Sequence, residues 1–209
     1  RYYGLHQIKC YDKSSLIYDI YIVVMNNVFN LQRPELMTHK YDLKGSTYKR
    51  FTPPEKVAQG AAKKDLNYIQ DATKMNISYT LRDRLVSQLR SDASFLARHN
   101  IIDYSLLIGV ISASDDTKEK RVIEPQNSAD EDALQKTDVG KLTAYLESFD
   151  HKTHYYVGII DTLTEYGARK KGEYVTKRIF QGKGISCVPP KEYRDRFVAF
   201  MQHGMDTTP

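Results

Sequence analysis

The chain has 209 residues, 41% hydrophobic and 27% charged, a composition that excludes a disordered tail and allows one domain or one large lobe with part of a second. Its net charge of +5 and pI of about 9.0 point to a polyanionic partner: nucleic acid, anionic lipid or a phosphorylated substrate. Two cysteines, Cys10 and Cys187, show no metal-ligand spacing and fit a reducing, intracellular compartment; no stretch reads as a spanning helix or signal peptide, so membrane contact is expected to be peripheral.

The chain opens on Arg1 rather than Met, which reads as a fragment or processed form of something longer. Residues 2–11 and 16–25 are rich in β-branched and aromatic side chains, and Asp12-Lys-Ser-Ser15 between them is a turn signal. That pattern predicts a β-hairpin. Asn26 and Asn27 end its second strand, and Val28-Phe-Asn continues as a connector. Residues 38–51 read as another strand pair around Gly45, and the polar, proline-containing residues 52–64 as a loop.

Within that stretch, Tyr41-Asp-Leu-Lys-Gly-Ser-Thr-Tyr-Lys-Arg50 gathers a carboxylate, three cations, a glycine and two hydroxyls. Glycine lets a backbone approach an anion, and neighbouring N–H groups with cationic side chains hold phosphate. A turn with a solvated charge run is the alternative, and for Lys44 an ion pair with Asp42.

Leu81, Leu85, Leu89, Ala93 and Leu96 recur at helical spacing and predict a helix over 79–99, ended by His99-Asn100. An apolar run, 101–111, follows, with a polar surface insertion over about 112–138 after it. Tyr155-Tyr-Val-Gly-Ile-Ile-Asp161 is a buried-strand pattern, and Pro190 to Met201 reads as a closing amphipathic helix.

Asp103 and Asp161 each interrupt an apolar, strand-like run. A carboxylate there is costly unless paired, metal-bound or at the mouth of a site; capping a turn at a strand end is the other reading. Together with the Lys44-Gly-Ser46 element they fit phosphoryl transfer. That reaction needs one carboxylate to orient the attacking hydroxyl, another to hold Mg²⁺, and cations to absorb charge. Serine nucleophile chemistry lacks its Gly-x-Ser-x-Gly elbow, and the six histidines lack zinc spacing. Nucleic-acid binding lacks a docking motif.

Tyr41–Arg50, Ile102-Asp-Tyr-Ser-Leu-Leu107 and Gly158-Ile-Ile-Asp161 resemble, in order and spacing, the signature of phosphatidylinositol phosphate kinases. Val23-Val-Met-Asn-Asn27, Asp65-Leu-Asn-Tyr-Ile-Gln70 and Tyr193-Arg-Asp-Arg-Phe197 add to the similarity, which covers almost the whole chain outside 112–150. The resemblance implies an α+β, protein-kinase-like fold: residues 1–29 as the remnant of an antiparallel N-terminal lobe and hinge, and 30–209 as a mixed α/β catalytic lobe. It implies ATP and Mg²⁺ as cofactors, Asn27 and Val28 at the adenine hinge, Asp103 as catalytic aspartate and Asp161 as metal ligand. Lys44 and Arg50 would face the head-group phosphates.

The resemblance also makes 161–183 an activation and specificity loop that engages an anionic, cytosolic membrane surface from the cytoplasm. Its basic run includes Arg169, Lys170, Lys171, Lys177, Arg178 and Lys183, each charge worth on the order of 1 kcal/mol at such a surface. Family enzymes that phosphorylate the 4-phosphate lipid at position 5 carry glutamate two residues after the paired lysines, where the 4-kinase branch has alanine. Lys170-Lys171-Gly172-Glu173 resembles the 5-kinase branch, with Gly172 departing from its usual leucine. The reading is therefore a phosphatidylinositol 4-phosphate 5-kinase. Its alternatives are a 5-phosphate 4-kinase, a 3-phosphate 5-kinase, or a non-catalytic lipid-binding lobe, since residues 1–30 lack a Gly-rich loop and a comparable strand lysine.

Overall fold

The most apolar stretch of the chain becomes the middle of its main sheet. In the computed structural model, which describes residues 2–13, 15–29, 31, 34–72, 74–112, 145–167 and 188–208, β6 (Ser105–Ser112) is buried on both faces. Strand β3 (Met37–Leu43) pairs with one of its edges and β8 (Thr153–Ile160) with the other. The short β7 (Leu146–Glu147) lies beyond β8, so the order is β3-β6-β8-β7, and all pairings are antiparallel.

The expected hairpin forms as β1 (Tyr2–Asp12) and β2 (Ser15–Met25), with Ile8 opposite Ile20. It stands apart from the packed interior: among the described residues the buried core begins at Tyr41. The connector after it returns to the sheet. Val28 lies over Gly158 of β8 and Phe29 over Gly109 of β6, where an added Cβ would approach either side chain to 2.7 Å.

Two long helices cover the core. The predicted periodic helix is α3 (Tyr79–Arg98), capped by the Ser78 hydroxyl, which accepts from the Leu81 N–H at 3.3 Å. It buries Val86, Leu89, Ala93 and Leu96 against α4 (Pro190–His203), which buries Tyr193, Phe197, Val198 and Met201. Burying the Val, Leu, Phe and Met side chains among these contributes about 1.5–3 kcal/mol each. After α4 the chain runs back as β10 (Met205–Thr208), parallel to β4 (Met75–Ser78).

Two expectations are corrected. Residues 38–51 do not form a local strand pair: β3 pairs with distant β6, and the chain leaves the sheet after Leu43 because Gly45 takes a left-handed φ of +67°. The polar stretch 52–64 is not all loop, since α1 (Pro54–Ala58) starts on a proline whose fixed φ suits the first helical position. The segment that leads into the next helix, α2 (Asp65–Gln70), braces β3 through a ladder-like contact in which Asp42 N–H donates to the Lys63 carbonyl at 2.8 Å. The residues beyond Ser112 expected to form a polar insertion, and those beyond Gly167 expected to form an activation loop, lie outside the described residues.

Candidate functional site

The loop after β3 is set by a buried carboxylate. Asp65, fully buried, accepts through Oδ1 from the backbone N–H groups of Lys44, Gly45 and Ser46 at 3.0, 2.7 and 3.2 Å. Its Oδ2 accepts from Arg50 Nε at 2.6 Å. The anion held by this glycine-centred cradle is thus one of the chain's own side chains rather than a phosphate.

Arg50 completes the frame. Its Nη2 donates to the Asp42 carbonyl at 2.5 Å and to Asp42 Oδ1 at 2.7 Å. Burial opposes its charge, but Asp65 and Asp42 outweigh that and hold the guanidinium above its ordinary pKa. One turn into α2, Asn67 accepts from the N–H of Thr52 at 2.8 Å and donates to the Thr52 carbonyl at 3.0 Å. Gly45 is pressed against α4, where a Cβ would lie 3.0 Å from the Arg196 carbonyl oxygen and 3.1 Å from Phe200 Cβ. The outcome differs for the two cations expected at a head group. Arg50 is sealed inside by Asp42 and Asp65, whereas half-buried Lys44 reaches the cleft described next.

The two aspartates meet through strand pairing. Asp103 lies between β5 (Ile101–Ile102) and β6, and Asp161 between β8 and β9 (Thr164–Glu165). Since β5 pairs with β9 and β6 with β8, with Ser105 opposite Ile160, both interruptions fall at the same level, between two consecutive ladders. Leu43 is opposite Leu106, so Lys44 leaves the sheet at that same end. Both aspartates are left-handed, with φ of +64° at Asp103 and +61° at Asp161. Aspartate tolerates that conformation better than most residues, but it still costs on the order of 1 kcal/mol.

A cleft of about 400 Å³ opens there, lined by Lys44, Asp103, Asp161, Thr162, Leu163 and Thr164, with Tyr2 and Met25 from the base of the hairpin. The Tyr2 hydroxyl and Thr162 Oγ1 share a hydrogen bond, which ties β1 to the turn after Asp161. Behind Asp103, the Tyr193 hydroxyl donates to the Tyr104 carbonyl at 2.5 Å, and the Tyr104 ring packs edge-on against Tyr193 and Phe197. Burial pushes the Tyr193 hydroxyl well above its ordinary pKa, with Asp103 adding to the effect, so it donates as a neutral phenol. Arg196 lies with its guanidinium 5.1 Å from the Tyr193 ring centre. Burial lowers its pKa, although Tyr193, Glu192, Asp65 and Asp103 pull the other way.

Chemically, one wall offers two carboxylates and another a cation. Among the described residues no group of three or more His, Cys, Asp or Glu forms a metal cage. Mg²⁺ is commonly held by one or two carboxylates with phosphate oxygens supplying more ligands, and Asp103 with Asp161 fits that donor set.

Asn27 and Val28 are not among the residues that line the cleft: Asn27 Oδ1 accepts from Phe29 N–H at 3.0 Å, and Val28 covers Gly158. Glu173, Lys170 and Lys171 lie outside the described residues. Asp65, Asn67 and Tyr193 were not singled out from the sequence as site residues. A short-range signal existed for Asp65, an acidic residue opening a helix, but its partners are about twenty residues away and no local pattern names them.

A family profile described as phosphatidylinositol-4-phosphate 5-kinase matches residues 1–204. A phosphatidylinositol 4-phosphate 5-kinase of Plasmodium falciparum (isolate 3D7) is 31% identical over 98% of this chain and 13% of its own length. Phosphatidylinositol 5-phosphate 4-kinase type-2 alpha of Gallus gallus is 29% identical over 88% of the chain and 52% of its own length. The type-2 gamma protein of Danio rerio is also 29% identical, over 96% and 60%. The chain therefore spans less than two thirds of the length of each of these relatives. The profile match runs over nearly every residue and includes all three motifs whose resemblance was noted in the sequence: this chain belongs to the phosphatidylinositol-4-phosphate 5-kinase family.

Proposed function

We propose that the chain carries the phosphoryl-transfer site of a lipid kinase that moves the γ-phosphate of ATP to the 5-hydroxyl of phosphatidylinositol 4-phosphate. The observation that supports this most is the convergence of Lys44, Asp103 and Asp161 on one cleft. In this reading Asp103 orients the inositol hydroxyl and takes its proton as the new O–P bond forms and the bond to ADP breaks. Asp161 holds Mg²⁺, which when bound neutralises charge on the phosphates. Lys44 meets the head-group phosphate, and Arg50 holds the loop that carries Lys44. Asn27 and Val28 serve as the hinge at adenine of a protein-kinase-like fold, with residues 1–29 belonging to its N-terminal lobe. No helix among the described residues is long and apolar enough to cross a membrane. Access to lipid is then peripheral, through the basic segment around Lys170 and Lys171 on a cytosolic surface.

A second reading, a 5-phosphate 4-kinase, is favoured by the names of the two vertebrate relatives. The test is to incubate the chain, and the longer natural polypeptide where one contains it, with ATP, Mg²⁺ and vesicles bearing each monophosphate isomer. Bisphosphate from the 4-phosphate lipid, with preference lost in Glu173→Ala, supports the 5-kinase. Product from the 5-phosphate lipid alone moves the assignment to the second reading, and no product from any isomer ends both. Vesicle binding that survives Asp161→Ala without transfer would instead mark a non-catalytic lobe.

A further inference from the structure

Asp65 has no place in the reaction as proposed, yet both of its oxygens are engaged. It is fully buried and accepts four hydrogen bonds: three from the successive N–H groups of Lys44, Gly45 and Ser46, one from Arg50. Three convergent backbone donors at a left-handed glycine form an anion nest. With that nest filled from inside, the loop cannot use its backbone to cradle a ligand phosphate. What it presents to the cleft is the Lys44 side chain.

We infer that Asp65 is a positioning residue for Lys44: an internal anion that locks the Lys44–Ser46 backbone and so fixes where the ammonium sits opposite Asp103 and Asp161. Three observations support it. The first Lys44 contact is to its own backbone N–H, so displacement of Asp65 is transmitted without an intermediate residue. Leu66 N–H donates to the Arg50 carbonyl at 2.9 Å, so the start of α2 also fixes the far end of the loop. Gly45 abuts Arg196 and Phe200 of α4, which leaves the loop no room to relax towards that helix. This inference rests on the lipid-kinase reading, in which Lys44 contacts the phosphorylated head group.

The experiment is a double-mutant cycle in the natural full-length polypeptide, assayed with ATP, Mg²⁺ and vesicles containing the preferred phosphatidylinositol monophosphate. Asp65→Asn keeps an oxygen for the N–H groups and removes the charge; it should raise KM for lipid on the order of tenfold while leaving KM for ATP within about twofold. Asp65→Asn added to Lys44→Ala should cost almost nothing further, because the two act as one unit. In Asp65→Ala, acetate or formate should occupy the vacated nest and restore part of the lipid affinity, which a general loss of folding would not permit. Equal, independent effects of the two substitutions, or KM values for lipid and ATP that rise together, would overturn the inference. An inactive wild type would instead count against the lipid-kinase reading itself.

Discussion

Two charged clusters stand a few residues apart and differ in what surrounds them. Asp42, Arg50 and Asp65 form a sealed network: the Arg50 and Asp65 side chains are 9% and 0% exposed, and both Asp65 oxygens are engaged. Lys44, Asp103 and Asp161 line an open cleft, where Asp161 is exposed and Asp103 half-buried. The same residue types serve opposite ends. Inside, the charges are paired with one another and shape the loop; at the cleft, they line the space a ligand would enter. Burial and partner geometry, not charge, separate frame from site.

The largest effect should come from breaking the sealed cluster. Asp65→Ala leaves Arg50 buried without its main partner, and thermal or denaturant unfolding should show a loss of about 3–5 kcal/mol. Asp161→Ala, at the open cluster, should cost only about 1 kcal/mol on the same measurement, because alanine tolerates the left-handed φ of +61° less well than aspartate. Equal losses would erase the distinction between the clusters. Gly45→Ala comes next, at about 1–3 kcal/mol, because a Cβ at φ +67° would also press on the Arg196 carbonyl.

A smaller contrast lies behind Asp103. Tyr193→Phe removes the hydrogen bond to the Tyr104 carbonyl and should cost about 1 kcal/mol. Tyr104→Phe should be neutral or slightly stabilising, since the buried Tyr104 hydroxyl has no hydrogen-bond partner among the described residues. Comparable losses in both would contradict that assignment. At the open cluster, Asp161→Gly should raise stability by up to about 1 kcal/mol by relieving the left-handed backbone. A melting temperature below wild type would argue against stored strain there.

The smallest effect concerns pH. Burial, with Lys63 nearby, lowers the pKa of His39, although Asp71 opposes the shift. The folded state therefore binds a proton less readily than the unfolded one. Its contribution is present above the unfolded pKa near 6.5 and is lost as pH falls through the folded value. Melting temperature should drop on acidification below about pH 6.5, and less so in His39→Gln. An unchanged slope would remove His39 from the account.

Much of this was legible in the sequence where the signal is local. Helix α3 follows from the spacing of Leu81, Leu85 and Leu89, and the hairpin from two apolar strands around Asp12–Ser15. Asp103 and Asp161 stood out as carboxylates in apolar runs, and they line one cleft. What the sequence could not show was set by distant partners. Nothing near Gly45 says that Asp65 fills its nest, and nothing near Arg50 says that two carboxylates draw it inside while Lys44 remains at the cleft. The strand pair expected around Gly45 failed for the same reason: β3 found its partner in β6, over sixty residues on.

The most direct test of the account is transfer of labelled γ-phosphate from ATP to phosphatidylinositol 4-phosphate vesicles by wild type, Asp103→Asn and Asp161→Asn, compared at equal folded fraction. Wild type should yield labelled lipid and each variant should lose about 10²–10⁴-fold, with melting curves nearly superimposed. Wild-type rates retained by either variant would contradict the claim that these two aspartates do the chemistry.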